Sequence, residues 1–133
     1  MSTIHIGSES EYVKITLGLP FSTEGWCEAS VEIAVSCFHG RIEVWLDAFA
    51  IENFAIQLGA VYESLQGKAS LLPLEGQFTL VLHAQTAGHI HVDGTAWSKA
   101  TCGNKLEFEL ELDQSFLPKV LVQLQEAISK DFR

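Results

Sequence analysis

Residues Leu106-Glu107-Phe108-Glu109-Leu110-Glu111-Leu112-Asp113 alternate apolar and acidic side chains without a break. A period of two is that of a β-strand with one face in a core and the other in water. Carboxylates fill the whole wet side, so this strand belongs to an antiparallel sheet covered on one face only.

The same parity can be followed outward through the chain. Tyr12 to Leu19 turns Val13, Ile15 and Leu17 inward, after a short edge piece at Ile4 to Ile6. Trp26 to Cys37 puts Cys27, Ala29, Val31, Ile33 and Val35 on one side and Trp26, Glu28, Ser30 and Glu32 on the other. Phe38-His39-Gly40 reads as a tight hairpin connection. Arg41 to Asp47 then turns Ile42, Val44 and Leu46 in, and Arg41, Glu43, Trp45 and Asp47 out. Lys68 to Leu72, Gln77 to Ala84 and His89 to Trp97 complete the strands before Lys105 to Asp113.

Two segments change period. Ile51, Phe54, Leu58, Val61, Tyr62 and Leu65 follow the three/four spacing of an amphipathic helix, with Gly67 placed to stop it. Leu117, Val120, Leu121, Leu124 and Ile128 form a second such stripe; Ser115 is a plausible N-cap, and Pro118 falls in the first turn, where a missing N–H costs little. The expected fold is α+β: an antiparallel twisted sheet of about six to eight strands with two helices packed on one face.

At 133 residues the chain reads as a single domain, 1–133. Its halves, about 12–67 and 68–133, resemble each other in order. Arg41 to Leu46 and Lys105 to Leu110 each lead into a helix carrying a Gln-Leu pair, Gln57-Leu58 and Gln123-Leu124, which hints at a repeated strand-strand-strand-helix unit.

The net charge of −9 disfavours nucleic acid and anionic membranes as partners, because both are bound through basic side chains. A basic protein suits it better, since complementary fields speed encounter and align docking patches. The apolar runs are too short to span a bilayer, and Met1 to His5 lacks an export-signal pattern, so a cytoplasmic protein is expected. Cys27, Cys37 and Cys102 lack metal-like spacing; Cys27 and Cys37 share the apolar parity of a strand, and Cys102 lies in a loop beside Gly103.

Parity collects Trp26, Trp45 and Trp97 on the wet side with Glu28, Glu32, Glu43, Asp47, Asp93, Glu107, Glu109 and Glu111. Tryptophan is enriched at binding hot spots inside a polar surround. We therefore take Trp26, Trp45, Trp97, Glu43, Asp47, Glu107, Glu109 and Glu111 as the candidate partner-binding set, on a monomer or a weak homodimer.

His83, His89 and His91 form the densest polar group. With Thr86-Ala87-Gly88 as a three-residue loop, Leu82 faces Val92, Ala84 faces Ile90 and His83 faces His91. Cross-strand neighbours stand about 5 Å apart, close enough to share a metal ion. That hairpin is the candidate metal- or ligand-binding feature of an alternative reading. The sequence places no acid or further histidine to complete a coordination set, so neither a metal nor a cofactor is expected.

Enzyme motifs are missing: no Gly-x-Ser-x-Gly elbow, no phosphate-binding glycine loop and no His-Glu-x-x-His occur. Cys37 and His39 flank Phe38 without an orienting third residue. Carboxylates alternating along a solvated strand lack the apolar enclosure that raises a catalytic pKa.

Several landmarks together carry a family resemblance: Gly25-Trp26 opening the long strand, Leu71-Leu-Pro-Leu-Glu-Gly-Gln-Phe78, Gly88-His-Ile-His-Val-Asp-Gly94 and Asp113-Gln-Ser-Phe-Leu-Pro118. From about Trp26 to Ile128 the chain resembles the small bacterial WapI-type immunity proteins, which accompany polymorphic toxins. The resemblance implies a cytoplasmic, non-enzymatic protein that binds and neutralises a cognate toxin domain, often a nuclease. It carries over no catalytic residues and no contact positions.

Overall fold

The computed structural model describes residues 2–100 and 103–131; Cys102 lies outside them. Four strands, β1 (Ser2–Gly7), β2 (Tyr12–Leu17), β3 (Trp26–Val35) and β4 (Phe38–Asp47), form an antiparallel meander that leads into α1 (Ala48–Ser64). A second meander, β5 (Lys68–Leu71), β6 (Phe78–Ala84), β7 (His89–Trp97) and β8 (Lys105–Asp113), leads into α2 (Leu117–Asp131). The α+β class and the antiparallel strands are as expected. The strands divide into two four-stranded sheets, because α1 carries the chain away after β4 and no ladder joins β4 to β5. The Ser2–Gly7 segment pairs with β2 along its whole length, giving the first half a fourth strand.

Alternation holds nearly everywhere. In β8, Phe108, Leu110 and Leu112 are buried while Glu107, Glu109, Glu111 and Asp113 are exposed. Inward residues of both sheets join Ile51, Phe54, Leu58, Val61, Leu117, Val120 and Leu124 of the helices in one apolar core. Fully burying such a side chain is worth roughly 1.5–3 kcal/mol, so the core dominates stability. Gly94 sits beneath the Phe108 ring, its direct partner across the β7–β8 ladder; a Cβ there would overlap that ring. No helix among the described residues is long and apolar enough to cross a membrane.

The helices are exchanged between the halves. α1 packs on β5 and α2 on β1, each the outer strand of the other half's sheet. Gln57 of α1 accepts the Ser70 N–H of β5 at 2.7 Å, and Gln123 of α2 accepts the His5 N–H of β1 at 2.8 Å. An edge strand presents backbone groups with no ladder partner, and covering them also blocks stray strand pairing. The two glutamines of the repeated Gln-Leu pair thus perform the same task in each half.

Local details depart from expectation at three turns. The β3–β4 turn is Ser36-Cys37, with Val35 paired to Phe38, so Phe38-His39-Gly40 is strand. Ser36 takes the left-handed conformation (φ +51°) that such a short connection needs. This leaves Cys37 exposed rather than in the core; Cys27 is buried. Helix α1 is closed by Leu65, left-handed at φ +57° with its N–H on the Val61 carbonyl, two residues before Gly67. Asp113, rather than Ser115, caps the single turn Gln114–Phe116 that precedes α2. The β6–β7 register is as expected: Leu82 faces Val92, Ala84 faces Ile90 and His83 faces His91.

Candidate functional site

The outer face of the second sheet is a grid set by its registers. One row runs His83, His91, Glu111 across β6, β7 and β8; the next runs Val81, Asp93, Glu109. Because consecutive outward residues lie two positions apart, the six side chains share one patch. His91 is at its centre. Its Nε2 lies 2.9 Å from Glu109 Oε1 and 3.2 Å from Asp93 Oδ1, and its Nδ1 is bonded to the Glu111 carboxylate. His83 Nε2 is 3.4 Å from the other Asp93 oxygen. The Glu111 hydrogen bond, backed by the charge of Asp93, holds the His91 pKa above the ordinary imidazole value despite some opposing desolvation. His89 is not part of this group; it faces Asp113 across the ladder. Of the expected histidine trio the structure therefore unites His83 and His91, and adds Asp93, Glu109 and Glu111.

The tryptophans do not form one cluster. Trp26 and Trp45 are diagonal neighbours on β3 and β4 and line one groove of about 380 Å³ with Ser22, Glu24 and Glu75. Trp45 is 47% exposed. Trp97 lies on the other sheet, half-buried at the end of β7, with the Lys105 ammonium 5.4 Å from its ring centre, a cation–π contact.

Asp47 departs from its expected place on the open face. It is 6% exposed and accepts the N–H of Ala50 (3.1 Å) and of Leu74 (2.9 Å). The strand ends there, so outward parity no longer applies: the carboxylate caps α1 and ties down the segment after β5. This tie holds Leu74, 77% exposed, while the Asp47 cap begins the helix that presents Phe49, 72% exposed.

The remaining acids of the candidate set are exposed and locally paired. Glu43 meets Arg41 at 3.3 Å and Glu107 meets Lys105 at 3.4 Å. Surface pairs of this kind contribute little to stability, so a partner displaces them at small cost. On β3, Glu32 accepts hydrogen bonds from Tyr12 Oη (2.7 Å) and the His39 ring (3.0 Å). These contacts, the His39 bond first, lower the Glu32 pKa; the Tyr12 phenol in turn is raised by its bond to Glu32.

The arrangement offers charge and aromatic surface in shallow relief. No side-chain polar atom among the described residues is buried without a partner. Among the acids and tryptophans assigned to the outer faces, Asp47 is the one that the structure buries. The sequence parity missed Glu109 and Glu111 as neighbours of His91, because their proximity depends on the β7–β8 register; Asp93, two positions along β7, was within reach of parity but was not grouped with the histidines.

A model of the immunity protein WapI-like family matches residues 4–131. No curated protein matches the chain. Among solved structures, the Trypanosoma MRP1/MRP2 crystal structure aligns with a TM-score of 0.54 at 12% identity, covering 99% of this chain and 84% of that one. A guide-RNA-binding protein complex bound to a guide RNA aligns with a TM-score of 0.52 at 14% identity, covering 99% of this chain and 90% of that one. At such identities the likeness is one of fold.

Proposed function

Because the chain belongs to the immunity protein WapI-like family, we propose that it binds a cognate toxin domain in the cytoplasm and neutralises it without chemistry of its own. The observation that carries the choice of surface is the groove lined by Trp26, Trp45, Glu24 and Glu75. Indoles give large contact area at low entropic cost, and the flanking carboxylates orient a basic partner. Glu43 belongs to the same face, and Trp97, Glu107, Glu109 and Glu111 extend the proposed contact onto the second sheet. Asp47 is buried and serves indirectly, by anchoring Leu74 beside Glu75 of the lining.

A protein of similar fold is described as bound to a guide RNA. In this chain the outward positions carry Glu28, Glu43, Glu107, Glu109 and Glu111, and a polyanion would be repelled. A basic toxin domain fits that charge. The same repulsion opposes self-association through these faces, so the protein acts as a monomer or a weak homodimer.

The test is binding of this chain to its cognate toxin domain, sought among the neighbouring genes and measured for wild type and Trp45→Ala. Tight wild-type binding weakened at least about tenfold in the variant, with an unchanged thermal midpoint, is expected for a hot-spot residue. Unaltered affinity would remove the groove from the interface; failure of the wild type to bind would remove the immunity reading itself. Rising salt should slow association more than it speeds dissociation.

A further inference from the structure

We propose that His91, Asp93, Glu109 and His83 form a binding site for one divalent transition-metal cation of the zinc class, with Glu111 orienting His91. The proposal does not rest on toxin binding, although Glu109 and Glu111 also belong to the contact proposed above.

Three geometric observations carry it. First, the ligand atoms already converge: one each from His91, Asp93 and Glu109 lies within 4.8 Å of the others. In a tetrahedral site with metal–ligand bonds near 2.0–2.1 Å, neighbouring ligand atoms are about 3.3 Å apart. The His91–Glu109 and His91–Asp93 separations are 2.9 and 3.2 Å; His83 Nε2 is 3.4 Å from the second Asp93 oxygen, so it would complete the set by swinging toward the ion. Small outward adjustments of side chains exposed at the sheet surface would admit an ion.

Second, the His91 ring is held as metal ligands are held. Ligating imidazoles almost always give their second ring nitrogen to a carboxylate, which fixes the tautomer. Glu111 occupies that position on Nδ1. With Nδ1–H on Glu111, a cation would take the place of the Nε2 proton between the Asp93 and Glu109 carboxylates.

Third, Asp93, Glu109 and Glu111 gather three carboxylates around His91, and that concentration of negative charge attracts a divalent cation. Two imidazoles among the ligands select zinc, cobalt, nickel or copper over magnesium and calcium, which prefer all-oxygen shells.

The experiment uses the full chain carrying Cys37→Ser and Cys102→Ser, so that no thiolate outside the site captures the metal, stripped with a chelator and titrated calorimetrically with Zn²⁺. One zinc per chain is expected, with affinity reduced at least about tenfold by His91→Ala or Asp93→Asn and several-fold by Glu111→Gln. His89→Ala should bind as the parent does. In NMR spectra, zinc should shift the ring nitrogens of His83 and His91 and leave those of His89 in place. Absence of stoichiometric binding, retention of affinity in both His91→Ala and Asp93→Asn, or displacement of zinc by equimolar Mg²⁺ would each overturn the site. Circular dichroism of every variant separates loss of the site from loss of the fold.

Discussion

The two halves share a scaffold and present different chemistry on it. Each is a four-stranded meander followed by a helix, and each helix secures the other half's first strand through a glutamine. On the first half the outer face carries the Trp26–Trp45 groove, and Phe49 is exposed at the start of α1. On the second, carboxylates converge on His91. The inward positions answer to packing and are alike in both halves. The outward positions are released from that constraint, and there the halves diverge.

The sharpest way to break the comparison is to damage one face from beneath. Gly94→Ala puts a methyl into the Phe108 ring and should destabilise the fold by about 1–3 kcal/mol, the usual cost of overpacking a core. Denaturant unfolding measures it; a neutral result would mean that the ring has room to retreat. Asp47→Ala strands two backbone N–H groups and should cost about 1–2 kcal/mol. Its specific sign is faster amide exchange at Leu74 and Ala50, with the second sheet unaffected. Gln57→Leu and Gln123→Leu test the shared scaffold. Each exposes one edge-strand donor and should cost about 1 kcal/mol, nearly equally; strongly unequal losses would show that the two clamps are not equivalent.

The smallest effect is electrostatic. Glu32 titrates below an ordinary glutamate because His39 and Tyr12 bond to its charged form. Its contribution to stability is complete above the unfolded-state pKa and is lost as pH falls through the lower folded value. Carboxyl NMR should find that low midpoint, and Tyr12→Phe combined with His39→Gln should move it up toward the ordinary value.

Much of this architecture was legible before any coordinates. The alternation from Leu106 to Asp113 gave β8 its limits and both its faces, and Thr86-Ala87-Gly88 gave the β6–β7 register, because a short loop admits few pairings. Parity says which side a residue takes but not which strands pair beyond a helix, so the division into two sheets was hidden. The turn at Ser36-Cys37 was obscured because a serine, rather than a glycine, takes the left-handed position. Asp47 was misplaced since alternation stops where a strand becomes a helix. The β8 neighbours of His91 were hidden for a similar reason: the long β7–β8 connection leaves register undetermined, and register alone brings Glu109 and Glu111 beside it.

The glutamine clamps also bear on how the chain matures. The bond between His5 and Gln123 spans 118 positions, so the amino-terminal strand waits for the closing helix before its outer edge is sealed. Closing such distant pairs late is slow compared with local structure. A nascent chain on the ribosome therefore stays unlatched until Gln123 has been made, and any truncation before Gln123 leaves the outer edge of β1 without that clamp.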